Sequence, residues 1–264
     1  MHNDILTIGP VTIHGYGLMI AIGILAAVLL AGFRAKRKGL SADTVYSLGI
    51  VALIFGFVGA KLLYCVVEWR YFIENPLRAL SGQGFVIYGG ILGGVTAAII
   101  YCRVKKLSFI RYFDLVAPSL ALAQGFGRIG CLLAGCCYGR ETDSIFGIVF
   151  RHSLYAPNGV RLIPTQIMHS AGNFIIAAVL LLYARKDRKV GRVGAIYLIL
   201  YSVTRFSIEF FRGDYRGVVG VLSTSQFISI IMLIVGVGLF FMDKLPFVRK
   251  RTDVVEPKDT DRQG

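Results

Sequence analysis

Seven long apolar segments limit the folds open to this sequence more than any other feature. Hydrophobic residues make up 55% of the 264 positions, charged residues only 17%, and the mean hydropathy is +0.66. A soluble domain of this size cannot bury so much apolar surface, whereas a helix of about 20 apolar residues spans a bilayer. The sequence therefore predicts an all-α membrane protein with seven transmembrane helices. The predicted spans are 14–33, 46–67, 85–102, 113–130, 165–184, 193–212 and 219–242.

The basic residues indicate which ends of these helices face the cytoplasm. Most of the 29 lysines and arginines lie on one predicted side, in segments 34–45, 103–112 and 185–192 and in the tail after Asp243. Because cytoplasmic loops carry an excess of positive charge, we expect the N-terminus outside and the C-terminus in the cytoplasm. Topology and contacts with membrane lipids account for the net charge of +14, so no nucleic-acid partner is expected.

One membrane domain accounts for most of the chain. Residues 1–245 are predicted to form a single transmembrane catalytic domain, and residues 246–264 form a polar cytoplasmic tail whose composition favours disorder. Among the longer loops, 131–164 is predicted to contain a small hairpin or interfacial turn. Asn158-Gly159 is a plausible turn within it.

Charged residues inside the apolar spans point to a functional site, because each costs several kcal/mol unless it is paired or hydrated. The spans contain Lys61, Arg128, Arg205 and Glu209, and Arg212 follows at the end of the sixth. Spacings of four and seven residues place Arg205, Glu209 and Arg212 on one helical face. Two readings stay open: a self-satisfied ionic network, or a site for the phosphate of a phospholipid headgroup.

Several motifs along the chain add a family resemblance. They are "IGPVTIHGYGLMIAIG" from Ile8, "GAKLLY" from Gly59, "YGGILGG" from Tyr88, "GRIGCLLAGCCYGR" from Gly127, "PTQ" from Pro164, "RFSIEFFRGD" from Arg205 and "LSTSQFISI" from Leu222. Together they resemble the prolipoprotein diacylglyceryl transferase family and cover most of the chain. Seven spans with the N-terminus outside match the topology of that family.

The resemblance implies an activity and its partners. Members of the family transfer the diacylglyceryl group of phosphatidylglycerol to the lipobox cysteine of a prolipoprotein and release glycerol phosphate. They are multi-pass proteins of the bacterial cytoplasmic (inner) membrane. No metal and no soluble cofactor is expected.

The resemblance also implies roles for individual residues. The implied catalytic residues are Tyr16, Tyr88, Arg128, Arg205 and Glu209. The residues implied to bind the phospholipid headgroup are Gly127, Arg128, Gly130, Gly135 and Arg205. The charge pattern adds Arg212 to this set, and Lys61 either joins it or extends its ammonium group to the membrane surface.

The sequence departs from the family pattern at several motif positions. Tyr88 replaces a histidine, Cys131 an asparagine and Cys136 a glutamate, while Met168 and His169 stand in place of Tyr-Glu. A tyrosine is protonated at neutral pH and is a poor general base. His169 is either a replacement base or an ordinary polar contact. These changes keep open a diverged relative that uses the same lipid donor with another acceptor.

The cysteines leave further alternatives. Cys131, Cys136 and Cys137 are expected on the oxidising side, either as a disulfide that staples the loop or as small buried residues. A zinc site is less favoured, because the spacing is not a standard ligand pattern and His152 is the only obvious fourth ligand. Two other classes remain: a membrane thiol oxidoreductase, and a lipid transporter, for which no inverted repeat is visible.

Overall fold

A computed structural model describes residues 4–8, 11–81, 84–214 and 217–242 of the chain. The predicted tail, 246–264, lies outside the described residues. The helices are α1 (Gly15–Arg37), α2 (Ala42–Val67), α3 (Trp69–Glu74), α4 (Pro76–Ser81), α5 (Ile87–Val104), α6 (Phe109–Ala134), α7 (Thr165–Tyr183), α8 (Arg192–Glu209) and α9 (Thr224–Phe241). Three short antiparallel strand pairs complete the fold: β1 (Asp4–Ile8) with β2 (Val11–His14), β3 (Ile148–Val149) with β4 (Arg161–Leu162), and β5 (Val218–Val219) with β6 (Leu222–Ser223).

The long helices form a bundle around α6. This helix runs unbroken through Pro118 and packs against α1 on one side and α7 on the other. α2 pairs with α5, and α8 pairs with α9. Within the described residues, six helices are long and apolar enough to cross a membrane, namely α1, α2, α5, α6, α7 and α9. The prediction of an all-α membrane protein is confirmed at this level. The sixth predicted span, 193–212, coincides with α8, which is not among these six and carries Arg192, Arg205 and Glu209 within its 18 residues.

Two predicted helix ends are wrong. The last long helix begins at Thr224 rather than at 219, because Ser223 caps it and the preceding residues pair as β5 and β6. α8 ends at Glu209, so Arg212 lies beyond the helix and not on its face. The cause is a tertiary contact: Arg212 forms a β-bridge with Gly139, and this pairing draws the chain away from the helical path.

The two ends of the bundle differ in chemistry. At one end, the last turn of α1, the first turn of α6 and the segment after α7 line a common cavity of about 520 Å³, with Arg34, Lys38, Arg111 and Arg188 among its residues. Asp114 of α6 anchors α8 there by accepting hydrogen bonds from backbone N–H groups. The other end, where α6 and α8 finish and α1, α7 and α9 begin, is called the site end below.

The predicted hairpin in segment 131–164 is confirmed. β3 and β4 pair in antiparallel register, and Phe150, Ala156 and Leu162 form a small buried core beneath them. Gly159 has a φ of 79°, and its N–H donates to the carbonyl of Phe150 at 2.8 Å. A glycine fits this left-handed turn position without strain. Segment 131–164 packs in this way against the site end of α6, where Leu132 contacts its buried core.

The packing of α2 on α5 yields a first prediction. A methyl group added at Gly59 would lie 3.1 Å from Cα of Gly93 and would press on the Gly89 carbonyl, both of which are backbone atoms. We expect Gly59→Ala to lower the free energy of unfolding by about 1–3 kcal/mol, the usual cost of overpacking. Thermal unfolding in detergent measures this change. Gly49→Ala is the matched control in the same helix, since its methyl meets nothing within 4 Å; equal midpoints for the two variants would contradict the prediction.

Candidate active site

A polar cluster at the site end, which we call the arginine centre, consists of Arg205 and the three residues that it contacts, His169, Glu209 and Ser225. The Arg205 side chain is buried on α8 and contacts three helices. Its Nη1 lies 2.7 Å from Oε2 of Glu209, one helical turn later, and 3.1 Å from Nε2 of His169 on α7. Its Nη2 donates to Oγ of Ser225 on α9 at 2.6 Å. The four-residue spacing predicted the first of these contacts, and the prediction is confirmed.

His169 acts here as a hydrogen-bond acceptor. A guanidinium carries only donors, so Nε2 of His169 must accept from Arg205 and the ring proton must sit on Nδ1. The residue is 2% exposed. Its Nε2 lone pair is therefore engaged by Arg205, and the polar-contact reading of His169 is the one that this geometry favours.

Glu209 is fixed from its other side by the start of α9. Its Oε1 accepts a hydrogen bond from Oγ of Ser223 at 3.0 Å, which leaves Oε2 for the ion pair. Ser223 is also the N-cap of α9: its Oγ accepts from the N–H of Gln226, and the Gln226 side chain accepts from the N–H of Ser223. This capping box explains why the "STSQ" sequence begins a helix there. The same serine thus caps α9 and orients the carboxylate.

Arg212 adds a second buried guanidinium. Its Nη2 lies 2.5 Å from a carboxylate oxygen of Asp214, whereas the Glu209 carboxylate pairs with Arg205. The Nε and Nη1 atoms of Arg212 are buried and have no hydrogen-bond partner among the described residues. Arg140 supports this segment by donating from Nε to the Arg212 carbonyl at 3.2 Å. The result is a guanidinium with two donor nitrogens, Nε and Nη1, available to an anion.

Arg128 and Tyr16 border the arginine centre. Arg128 is half-buried on α6, and it is close enough to His169, Arg205 and Tyr16 for its charge to act on each of them. Tyr16 begins α1 and packs over Gly130, where an added Cβ would lie 3.2 Å from the tyrosine ring. Three arginines therefore converge from α6, from α8 and from the chain beyond α8.

The three glycines predicted to bind the headgroup, Gly127, Gly130 and Gly135, serve different local needs. A Cβ at Gly127 would meet nothing within 4 Å, so this backbone borders open space. Gly130 allows the close approach of α1. Gly135 ends α6 with a φ of 73°, a left-handed C-cap that favours glycine, and its carbonyl accepts from Oγ of Ser153 at 3.3 Å.

Cys131, Cys136 and Cys137 lie together near Arg128, and no disulfide joins them in the described structure. The sulfur atoms of Cys131, Cys136 and Cys137 are all within 4.8 Å of one another. Hydrogen bonds to the Cys131 and Cys137 thiols, together with burial, raise the pKa of Cys136, so this group is a thiol and not a nucleophilic thiolate at neutral pH. The "PTQ" motif holds their backbone: Thr165 Oγ1 donates to the Cys137 carbonyl at 2.8 Å and Gln166 Nε2 to the Cys136 carbonyl at 2.9 Å. A disulfide here stays a prediction.

Two predicted site residues lie on the other helix pair. Lys61 of α2 donates from Nζ to the Gly84 carbonyl at 3.2 Å, and the same atom lies 4.7 Å from the centre of the Phe85 ring. Tyr88 is half-buried in the first turn of α5, which packs chiefly against α2. Lys61 and Tyr88 thus lie on the α2–α5 pair, whereas the residues of the arginine centre come from α7, α8 and α9.

Sequence reasoning missed several members of the site. Ser223, Ser225 and Asp214 hold the arginines and the glutamate, yet none was assigned a role. The signal for Ser223 was readable, because serine followed three residues later by glutamine is a capping-box pattern. Nothing in the sequence spacing indicated that Ser225 or His169 would reach Arg205, since both contacts arise only when α7 and α9 pack on α8.

Comparison with known proteins adds a family to this geometry. The sequence model of a family described as prolipoprotein diacylglyceryl transferase matches residues 3–242. A phosphatidylglycerol–prolipoprotein diacylglyceryl transferase of Clostridium tetani is 50% identical over 234 residues, which cover 88% of this chain and 94% of that protein. The enzyme of that name numbered 2 from Clostridium perfringens is 46% identical over 235 residues, 88% of this chain and 92% of that protein. One from Streptococcus uberis is 36% identical over 239 residues, 88% and 91% of the two chains.

Proposed function

This chain belongs to the prolipoprotein diacylglyceryl transferase family, and on that premise we propose that the arginine centre is the phosphate-binding part of its active site. The chain is a transferase that uses phosphatidylglycerol to modify a prolipoprotein. In the proposal, the acceptor atom is the sulfur of the lipobox cysteine, and the released product is glycerol phosphate.

The observation that carries the proposal is that the site contains two buried arginines. One is held in place by protein groups, and the other has donor nitrogens that lack an acceptor among the described residues. Arg205 is held by Glu209, His169 and Ser225, while Arg212 presents two buried donor nitrogens, Nε and Nη1, that have no acceptor among the residues that the structure describes. Buried donors without acceptors are costly, and phosphate oxygens are strong acceptors for guanidinium groups. A phospholipid headgroup supplies the missing acceptors.

The chemistry assigned to this centre is the stabilisation of a leaving group. The bond between the diacylglyceryl carbon and its phosphate oxygen breaks, and that oxygen keeps the electron pair. A bond forms between the carbon and the acceptor sulfur. The sulfur must lose its proton first, because the thiolate and not the thiol is the nucleophile. Preorganised guanidinium groups lower the energy of the charge that develops on the phosphate. Arg205 and Arg212 contact the phosphate in this proposal, and Glu209 positions Arg205.

Residues around the centre complete the proposed pocket. Arg128 adds positive charge from α6, and Tyr16 borders the centre from the first turn of α1. The open space at Gly127 admits the headgroup. Lys61 and Tyr88 remain sequence-based predictions for the lipid donor site, reached from α2 and α5.

The experiment that tests the proposal is a transfer assay. Membranes containing the chain receive labelled phosphatidylglycerol and a lipobox peptide, and transfer of label to the peptide cysteine is measured. Arg128→Ala is expected to lower the rate by about 10²-fold, a usual cost of losing one preorganised charge donor. Arg103→Ala, an exposed arginine in the last turn of α5, is the control. Equal rates for the two variants would remove Arg128 from the phosphate site.

Tyr88→Phe separates the two predicted parts of the site. The structure places Tyr88 on the α2–α5 pair, so we expect the variant to retain transfer within about fivefold, the effect of one hydrogen bond worth about 1 kcal/mol. The same assay measures it. A loss of about 10²-fold would instead assign proton transfer to the Tyr88 hydroxyl.

We further propose a seven-span topology in the bacterial cytoplasmic membrane, with the site end outside. The 18 residues of α8 reach about 27 Å, and this helix packs against α7, α9 and α6 like a spanning helix. The cluster of cations at the opposite end supports the orientation.

Epitope access tests this topology. An epitope inserted after Asp143 is expected to bind antibody on intact spheroplasts, whereas one inserted after Asp187 is expected to bind only after permeabilisation. Both positions are exposed in loops, where insertions are tolerated best. The reverse pattern would invert the orientation, and access to both sites on intact spheroplasts would contradict the seven-span count.

A further inference from the structure

Three thiols converge where α6 ends. Cys131 lies in the last turns of the helix, and Cys136 and Cys137 follow the left-handed cap at Gly135. All three sulfur atoms lie within 4.8 Å of one another. The turn after α6 thus brings the Cys136 and Cys137 thiols back to the Cys131 thiol inside the helix.

The backbone conformation at Cys136 and Cys137 holds the thiols in this arrangement. Cys137 has a φ of 63°, and only one other non-glycine residue in the described part of the chain, Lys106, has a positive φ. An L-residue is disfavoured in that region unless the surroundings hold it there. Thr165 and Gln166 supply the restraint by binding the carbonyl oxygens of Cys137 and Cys136. The backbone of Cys136 and Cys137 is therefore held by α7, while Cys131 is fixed by its place in α6.

We propose that Cys131, Cys136 and Cys137 bind one soft, thiophilic metal ion of the class of Cu(I) and Zn(II) through three thiolates. Metal–sulfur bonds of about 2.3 Å require sulfur–sulfur separations of about 4 Å, so the three sulfurs need only a small contraction. Thiolate ligands select such ions over hard cations. Among the described residues the group within this distance consists of the three cysteines, so the proposed ion has three protein ligands.

Binding exchanges protons for the metal. Each thiol releases its proton to solvent as its sulfur takes the ion, so three protons leave for each metal bound. Three thiolates leave a net charge of −1 with Zn(II) and −2 with Cu(I). Arg128 acts electrostatically on Cys131 and offsets part of this charge. The proposal replaces the sequence-based expectation of no metal, and it requires reduced cysteines rather than the predicted disulfide.

The site would act as a staple beside the proposed active site. Cys131, Cys136 and Cys137 lie near Tyr16, as does Arg128, so the charge of a bound metal centre would act on the Tyr16 hydroxyl. A bound ion would tie the end of α6 to the loop that follows it, and the position of Arg128 would then depend on metal loading.

Cadmium titration of the full chain tests the proposal. Purified protein in detergent, reduced and kept free of oxygen, is titrated with Cd(II) while the ultraviolet thiolate-to-metal charge-transfer band is recorded. The expected result is saturation at one equivalent of Cd(II). Cys131→Ser, Cys136→Ser and Cys137→Ser are each expected to weaken binding by at least about tenfold, in line with the loss of a ligand. Cys65→Ser and Cys102→Ser, which change buried cysteines outside the cluster, are expected to leave the titration unchanged.

Several outcomes would overturn the site. One is the absence of the band from wild-type protein in which all five thiols react with a thiol reagent after unfolding. Another is a charge-transfer band that survives in a Cys137→Ser variant whose thermal transition matches that of the wild type. This variant keeps the test decisive even if Cys131→Ser fails to fold. Displacement of Cd(II) by Zn(II) or by Cu(I) identifies the preferred ion, and displacement by neither would also contradict the proposal.

Discussion

Replacing Arg205 by lysine is expected to lower the rate of diacylglyceryl transfer by about 10²–10³-fold, the range found when a preorganised donor to a developing anion is lost. A lysine keeps the positive charge, but its single ammonium cannot reproduce the planar fork of Arg205. That fork contacts Glu209, His169 and Ser225 from defined nitrogen atoms. The transfer assay with labelled phosphatidylglycerol measures the effect.

A control on the same helix separates this effect from a general change in α8. Arg192 lies in the first turn of α8, with its guanidinium carbon 4.2 Å from the centre of the Phe240 ring. Arg192→Lys preserves the charge and a cation–π contact, so the transfer rate is expected to stay within about twofold of wild type. Retention of full activity by Arg205→Lys would show that charge alone suffices and that the fixed orientation has no catalytic role.

The charge pattern of the sequence predicted the pairs that a helix creates by itself. Arg205 and Glu209 are four residues apart, and this local spacing brings them together in any intact helix. The apolar segments likewise predicted the long helices to within a few residues at most ends. These features depend on neighbours in sequence, so a single sequence contains them.

Contacts that depend on tertiary packing were beyond the reach of the sequence. Arg212 leaves the helical path because it bridges to Gly139, some seventy residues earlier in the chain, and pairs with Asp214 instead of Glu209. His169 meets Arg205 only because α7 packs on α8. The convergence of the cysteines depends on a left-handed residue at Cys137, a conformation that its residue type disfavours.

Glu209→Ala is expected to lower the free energy of unfolding by about 3–5 kcal/mol, the usual cost of leaving one partner of a buried ion pair alone. The Arg205 and Glu209 side chains are only 8% and 6% exposed, so water cannot replace the lost carboxylate. Thermal unfolding in detergent measures the change. Glu209→Gln keeps an acceptor for the Ser223 hydroxyl and removes only the charge, so its effect is expected to be smaller.

The exposed pair of Lys38 and Asp187 provides the comparison, because its atoms are 3.8 Å apart and the Asp187 side chain is fully in solvent. Asp187→Ala is expected to leave the unfolding midpoint unchanged. The double variant Arg205→Ala/Glu209→Ala removes both buried charges, so it is expected to unfold at a higher temperature than Glu209→Ala alone. Additive losses in the double variant would mean that the two side chains stabilise the bundle independently. In that case Glu209 could not be the residue that positions Arg205, and the arginine would owe its orientation to His169 and Ser225.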